Sequence, residues 1–226
     1  MPSVSVIIPC LNEEAQIAKA IASASKAGAE EIIVVDGGST DATVAIARES
    51  ARVVTSTKPG RAEQQNLGAS LATGDVLLFL HADCRLSSDS IANVSNRLKT
   101  DDVVGGCFQQ NIDASGLRFR IMEAGNAWRV RLLKWAYGDQ GIFVRRNVFE
   151  GLSGFPTIDL MEDLYFMKKL KSIGRIVLLD SRLTVSARRW QQRGVLSQTV
   201  RNWLLISAAH LGVSPNRLAH FYKNVR

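Results

Sequence analysis

Four apolar segments, each followed by a polar turn and a helix-like stretch, constrain the fold of this chain more than any other feature. "SVSVII" (residues 3–8), "EIIVV" (31–35), "RVVTS" (52–56) and "DVLLFL" (75–80) read as strands. Residues 13–26, "TDATVAIARES" and residues 61–72 read as helices between them, the second with Ser39 or Thr40 as its N-cap. Such alternation predicts an α/β fold, a mostly parallel sheet flanked by helices on both faces. Beyond about residue 101 the pattern loosens into β-like "VVGGCFQQNI", a long helix over 118–135, "GIFVRR", a helix "DLYFMKKLKSIG" closed by Gly174, and a strand "RIVLL". The last forty or so residues read as mostly helical. With no linker and no repeat, the expectation is one domain over 1–180, in halves of about 1–100 and 101–180, and a basic helical appendage over 181–226.

Composition narrows the class. The longest apolar runs, "VLLFL" and "WLLISAAHLGV", are too short to span a bilayer, and the sequence starts almost directly with a strand, leaving no room for a signal segment. Three widely spaced cysteines, Cys10, Cys84 and Cys107, argue against a disulfide framework and fit a reducing cytoplasm. The net charge of +7 is unevenly distributed: residues 1–115 carry 9 basic against 14 acidic residues, residues 116–226 carry 19 against 7. A basic C-terminal half with no acid after Asp180 suits an anionic partner: a phosphorylated ligand, a membrane surface or nucleic acid.

Ligands of open α/β sheets bind beyond the C-terminal ends of the strands. Here the first strand runs into "PCLNEE", the second into Asp36-Gly37-Gly38 and the fourth into His81-Ala82-Asp83, which brings Asn12, Glu13, Asp36 and Asp83 to one edge. Neither GxGxxG nor GxxxxGK[ST] is present in these loops, so a dinucleotide fold and a phosphate-cradling hydrolase are not indicated. Acids in place of an anion hole suit recognition of a base and ribose, with a hard cation such as Mg²⁺ or Mn²⁺ carrying the phosphates.

"SVIIPCLNEE", "EIIVVDGGSTDAT", "NLGASLATGDVLLFLHAD" and "LMED" stand in the order and spacing of family 2 glycosyltransferases with the GT-A fold, which the chain resembles through about Asp163. "GRAEQQNLGA", "YGDQGIFVRR", "GFP" and "SARRW" further resemble a subgroup assigned to arsenosugar biosynthesis and associated with radical-SAM genes. The resemblance implies a metal-dependent inverting transferase moving a sugar from a nucleoside-diphosphate sugar to an acceptor hydroxyl of a small or lipid-linked molecule. On it, Asp163 is the general base and Glu162 orients its loop. Asp83 is the second acid of the DxD metal motif, with His81 replacing the first. Pro9, Asn12, Glu13, Asp36 and Gly38 would hold the nucleotide, with Arg61 at the base or diphosphate and Asn66 beside them. Asp139 and Gln140 would meet substrate hydroxyls. "SARRW" resembles the QxxRW element with Ala187 for glutamine, so that Arg188 and Arg189 would neutralise diphosphate or an acidic acceptor and Trp190 would stack on a sugar.

Every one of these residues has a structural alternative. Asp83 also fits a helix cap, His81 a buried donor, Asp139 and Gln140 a turn, Arg61 a surface salt bridge and Trp190 the core; acids at 162 and 163 suit a helix dipole in any case. Two other functions compete. A nucleotidyltransferase shares much of this sheet but needs a basic, glycine-rich first loop where "PCLNEE" is acidic. A non-catalytic nucleic-acid or membrane binder would use the basic tail but leave Asp36, Asp83 and Asp163 idle. The preferred expectation is a cytoplasmic enzyme without a nucleic-acid partner, with peripheral contact at the inner membrane face and a homodimer left open.

Overall fold

The structure, a computed structural model, describes residues 2–194 and the isolated positions 208 and 213. The terminal helices expected beyond 194 therefore lie outside the described residues, and so does the side chain of Arg189.

The chain runs β1 (Val4–Cys10), α1 (Ile17–Lys26), β2 (Glu31–Asp36), α2 (Thr43–Arg48), β3 (Arg52–Thr55), α3 (Arg61–Leu71) and β4 (Val76–Phe79). It continues through β5 (Cys84–Leu86), α4 (Ser90–Arg97), β6 (Val103–Ile112), α5 (Leu117–Leu133), a 3₁₀ turn (Gly138–Gln140), β7 (Ile142–Arg145) and α6 (Arg146–Gly151). Last come α7 (Glu162–Ile173), β8 (Arg175–Val185) and α8 (Arg188–Arg193). One eight-stranded sheet orders them β3-β2-β1-β4-β7-β6-β8-β5. The first four strands are parallel, as their alternation with helices requires. Beyond them β7 is antiparallel to β4 and β6, β6 pairs parallel with β8, and β5 is an antiparallel edge.

Every residue of β1 and β4 is buried, which is why both read as unbroken apolar runs. Successive side chains enter opposite layers. Val4, Val6, Ile8 and Cys10 meet Ile17, Ala20, Ile21 and Ala24, the i, i+3, i+4, i+7 stripe of α1. Ile7, Ile33, Val35, Leu77 and Phe79 face the other layer. There the rings of Phe79, Phe149, Phe155 and Phe166 pack with contacting centroids 4.5–5.6 Å apart. All three cysteines are free and buried, and desolvation pushes the Cys10 and Cys107 thiols up to about 12.

Several expected boundaries moved. The first helix begins at Ile17, not residue 13, because Glu13 is held in the preceding loop by Thr43 Oγ1 on its backbone N–H, 2.8 Å. Neither Ser39 nor Thr40 caps α2; Asp41 accepts from the Thr43 N–H instead, 2.9 Å. The short β5 and α4 carry too weak a pattern to be expected from sequence.

Asn66, an expected ligand contact, is a structural clamp in this fold. Its side-chain nitrogen donates to Phe155 O and its oxygen accepts from Phe155 N, both at 2.9 Å, which seats the "GFP" turn and the Phe155 ring in the core. Asn66→Ala leaves two backbone groups of a part-buried turn unpaired, a loss of about 1–3 kcal/mol. Thermal unfolding should record a fall of several degrees, while the affinity for nucleotide should stay unchanged.

Candidate functional site

Three loops meet at the C-terminal edge of β1, β2 and β4. Gln64, buried on α3, donates through one side-chain nitrogen to Cys10 O (2.8 Å) and Val35 O (2.7 Å), tying the ends of β1 and β2 together. A Cβ on Gly37 would stand 3.0 Å from that nitrogen, so Gly37 makes room for Gln64. Gly38 adopts φ 96°, a left-handed turn. Asp36 is buried and accepts from Gly38 N at 2.9 Å and Ser39 N at 3.1 Å. The Cys10 thiol lies 3.9 Å from its Oδ1 as well, so the fold itself fixes this carboxylate at the strand end. Asn12, at φ 52°, clips the same loop by accepting from Thr40 N (2.9 Å) while its own N–H donates to Ser39 Oγ. Pro9 sits within the ladder opposite Val35, buried, and shapes the loop from behind.

The second half of the site is assembled around Asp163 in the first turn of α7. Its Oδ2 accepts from Gly138 N at 2.6 Å, and its Oδ1 from Leu164 N at 2.7 Å. Burial, then the neighbouring Glu162 carboxylate, push Asp163 up to about 6, against the opposing effect of the Gly138 N–H and Arg61. Met161, just before it, holds φ 67°, an uncommon conformation for a side chain of that size. Gly138 is required by close approach: a Cβ there would stand 2.3 Å from His81 Nε2. His81 is accordingly a buried ring wedged under the 3₁₀ turn.

Asp83 lies across the same turn. Cys84 Sγ is 3.7 Å from Asp83 Oδ1 and 4.0 Å from Asp139 O, which places the Asp83 and Asp139 segments side by side. Desolvation raises Asp139, Arg129 opposes this, and the Asp163 and Asp83 carboxylates raise it further. Asp139 Oδ1 and Gln140 Nε2 are buried with no hydrogen-bond partner among the described residues. Among the described residues no three His, Cys, Asp or Glu side chains converge as a ligand set. A hard cation here would thus draw further oxygens from a bound phosphate group, which suits a site with acidic groups and an orphaned carboxylate oxygen.

Two arginines bridge the halves. Arg61, at the start of α3, reaches the buried Glu162 carboxylate at 3.4 Å. Arg188, at the start of α8, reaches Glu13 at 3.0 Å. Both expected acids therefore have arginine partners within the site. Trp190 packs on Ile112, Phe119 and Ala187, a core position in place of the expected stacking platform.

Sequence reading missed the scaffold of the 3₁₀ turn. Arg129 of α5 lies 3.9 Å over the Tyr137 ring and donates to Gln140 Oε1 (2.7 Å), Asn126 Oδ1 (2.8 Å) and Trp135 O (3.0 Å). Asn126 in turn donates to Gln110 Oε1, and Gln110 to Asp139 O at 3.2 Å. The available signal was Gln110 within the mostly apolar β6, together with two polar residues three apart on a helix, Asn126 and Arg129.

Comparison with known proteins places this architecture. Residues 5–152 match the profile of Glycosyl transferase family 2. A PGL/p-HBAD biosynthesis glycosyltransferase of Mycobacterium tuberculosis is 34% identical over 161 residues, 66% of this chain and 61% of the relative, so the chain spans less than two thirds of that protein's length. Among solved structures, the mannosyltransferase PcManGT from Pyrobaculum calidifontis, in complex with GDP-Man and Mn²⁺, is similar at a TM-score of 0.67 and 22% identity over 97% of this chain and 68% of that one. Glucosyl-3-phosphoglycerate synthase from Mycobacterium tuberculosis, with Mn²⁺, UDP and glucosyl-3-phosphoglycerate, is similar at 0.64 and 22% over 94% and 81%. The fold is thus of the GT-A glycosyltransferase type, and the chain belongs to glycosyl transferase family 2.

Proposed function

We propose that this chain is a metal-dependent, inverting glycosyltransferase that moves a sugar from a nucleoside-diphosphate donor to an acceptor hydroxyl. The observation that carries the reading is Asp163: a carboxylate raised to about 6, fixed by the Gly138 N–H, and set beside the Asp83 and Asp139 segments. A base with that pKa is ionised near neutral pH yet basic enough to take a hydroxyl proton. Asp36, Asn12 and Glu13 frame the nucleotide's side of the cleft. Asp83, with His81 behind it, would hold Mg²⁺ or Mn²⁺, which when bound neutralises the diphosphate's charge. In the reaction Asp163 accepts the acceptor's O–H proton as that oxygen bonds to the anomeric carbon. The carbon's bond to the diphosphate oxygen breaks on the opposite side, and the electron pair leaves with the diphosphate. Arg61 keeps Glu162 paired, so the second carboxylate steadies the loop without competing for the proton.

The neighbours crystallised with GDP-Man or UDP and Mn²⁺ support this donor class and cation. The chain also resembles the arsenosugar-associated subgroup by "GRAEQQNLGA" and "YGDQGIFVRR", and the proposed acceptor is the hydroxyl of a small or lipid-linked molecule. Among the described residues no helix is long and apolar enough to cross a membrane; the proposed setting is the cytoplasm, including its membrane face.

Asp163→Asn keeps the shape and removes the base. Turnover should fall about 10²–10⁴-fold, with donor affinity held within about threefold, as steady-state kinetics and calorimetry would record. Wild-type turnover should rise with pH along a limb centred near 6, and that limb should vanish in the variant. Stability moves the opposite way. A folded pKa above the ordinary carboxylate value near ~4 means the folded state binds its proton more tightly than the unfolded chain. This group therefore costs stability as pH rises from about 4 through 6, and the melting temperature of wild type relative to Asp163→Asn should fall across that window. An unchanged pH profile in an active variant would remove Asp163 from the chemistry.

The cation gives a separate test. Titrating UDP, GDP and dTDP sugars with and without Mn²⁺ should identify one donor whose binding the cation strengthens. In Asp83→Ala that enhancement should disappear while metal-free binding persists. Enhancement at wild-type strength would place the cation elsewhere.

A further inference from the structure

Most of the exposed large apolar side chains among the described residues stand on α5. Leu117, Ile121, Trp128 and Leu132 are 75%, 62%, 62% and 66% exposed, and they recur at i, i+4, i+11 and i+15, one line along the helix. Small Ala124 and Gly125 fill the same line. The inner face is equally committed: Phe119, Ala127 and Val130 are buried. A helix apolar on two faces is one that is covered on both.

Charge decides what covers the outer one. At the 3.6-residue period, Arg118 borders the stripe on one side, and Arg120 and Arg131 border it on the other. The helix's one acid, Glu123, is buried inward, accepting from Ile112 N and pairing with Arg120. No exposed acid stands on the helix, and the half of the chain that carries it holds 19 basic against 7 acidic residues. A second copy of the same surface would bring arginines against arginines. An apolar stripe with an exposed tryptophan, edged by cations alone, matches an anionic lipid surface: side chains enter the acyl boundary and guanidinium groups stay at the headgroups.

We propose that α5 is an interfacial helix that docks this protein on anionic membrane through Leu117, Ile121, Trp128 and Leu132, with Arg118 and Arg131 at the headgroups. The position has a consequence for the site. Trp128 and Arg129 are adjacent: one faces outward, while the other holds Tyr137 and Gln140 of the turn whose Gly138 N–H fixes Asp163. Docking therefore brings the base close to the membrane plane, where a lipid-linked acceptor presents its hydroxyl. This last point rests on the transferase reading above; the docking itself does not.

Flotation of the full chain with phosphatidylcholine vesicles containing phosphatidylglycerol tests it. The wild type should float, and raising the salt should release it. Trp128→Glu and Ile121→Glu should each lower the vesicle partition at least tenfold, and Arg118→Ala or Arg131→Ala about fivefold at low salt. Melting temperatures and nucleotide affinity should stay at wild-type values, because both faces of the argument use exposed side chains away from the site. Wild-type partition in the two glutamate variants, or no wild-type flotation, overturns the proposal. A fall of many degrees in melting temperature in these variants also overturns it, since the face would then be packed on protein. So does a wild-type dimer in sedimentation that Trp128→Glu converts to monomer. Failure of the titration with nucleotide sugars leaves the flotation result standing, so the two readings fail separately.

Discussion

A single hydrogen bond, Gly138 N–H to Asp163 Oδ2 at 2.6 Å, holds the two parts of this site in register. The donor belongs to a turn between α5 and β7, and the acceptor to the first turn of α7. Gly138 reaches Asp163 only because it has no side chain, since a methyl would overlap the His81 ring that follows β4. Three segments far apart in sequence are thereby locked at one point. Arg129, Asn126 and Gln110 keep the turn from rotating by hydrogen bonds to Gln140 Oε1, to Asp139 O and to one another. Second-layer groups of this kind decide whether a functional side chain stays within the narrow range that catalysis tolerates.

The site is also where the fold accepts poor local satisfaction. Of the buried side-chain atoms with no hydrogen-bond partner among the described residues, those of Tyr137, Asp139 and Gln140 fall within one short turn. Burial raises both Asp139 and Asp163; the Asp163 and Asp83 carboxylates add to the first, and the Glu162 carboxylate adds to the second. Asn12 and Met161 hold left-handed backbone at the entries to the two acidic loops. Each departure costs on the order of 1–3 kcal/mol, and together they are tolerated because the parallel core on either side of β1 is dry and continuous.

The residues that sequence made legible are those whose chemistry and position coincide. Asp36 and Asp83 each follow an apolar strand, so their loops were readable from the alternation of strands and helices. Asp163, in the first turn of a helix where an acid suits the dipole, was reached only through the resemblance of "LMED" to a family motif. Asn66 was misread because an amide in a helix carries no mark of what it faces; its partner Phe155 is 89 positions away. Gln64 and Arg129 were invisible for the same reason. Trp190 matched a motif by spacing but settled in the core, since Ile112 and Phe119 offered it an apolar bed that composition cannot reveal. In the mixed half of the sheet, β6, β7 and β8 were legible as "VVGGCFQQNI", "GIFVRR" and "RIVLL". The edge strand β5, three residues long, is too short for a period to register.

The uneven charge of the chain acquires a physical meaning from the same geometry. Acids of the first half are drawn to strand ends, where a cation and a diphosphate would neutralise them. Bases of the second half divide between two tasks. Arg129 and Arg188 face inward and hold carboxyl or amide oxygens in place, whereas Arg118 and Arg131 edge an exposed apolar stripe. Arg118, Arg129 and Arg131 share one helix of 17 residues, α5. Arg129 grips the neighbouring turn through the Tyr137 ring and Gln140 Oε1, while Arg118 and Arg131 stand beside the exposed apolar residues. Arginines that look redundant in a count of charges are thus separated by what each side chain faces.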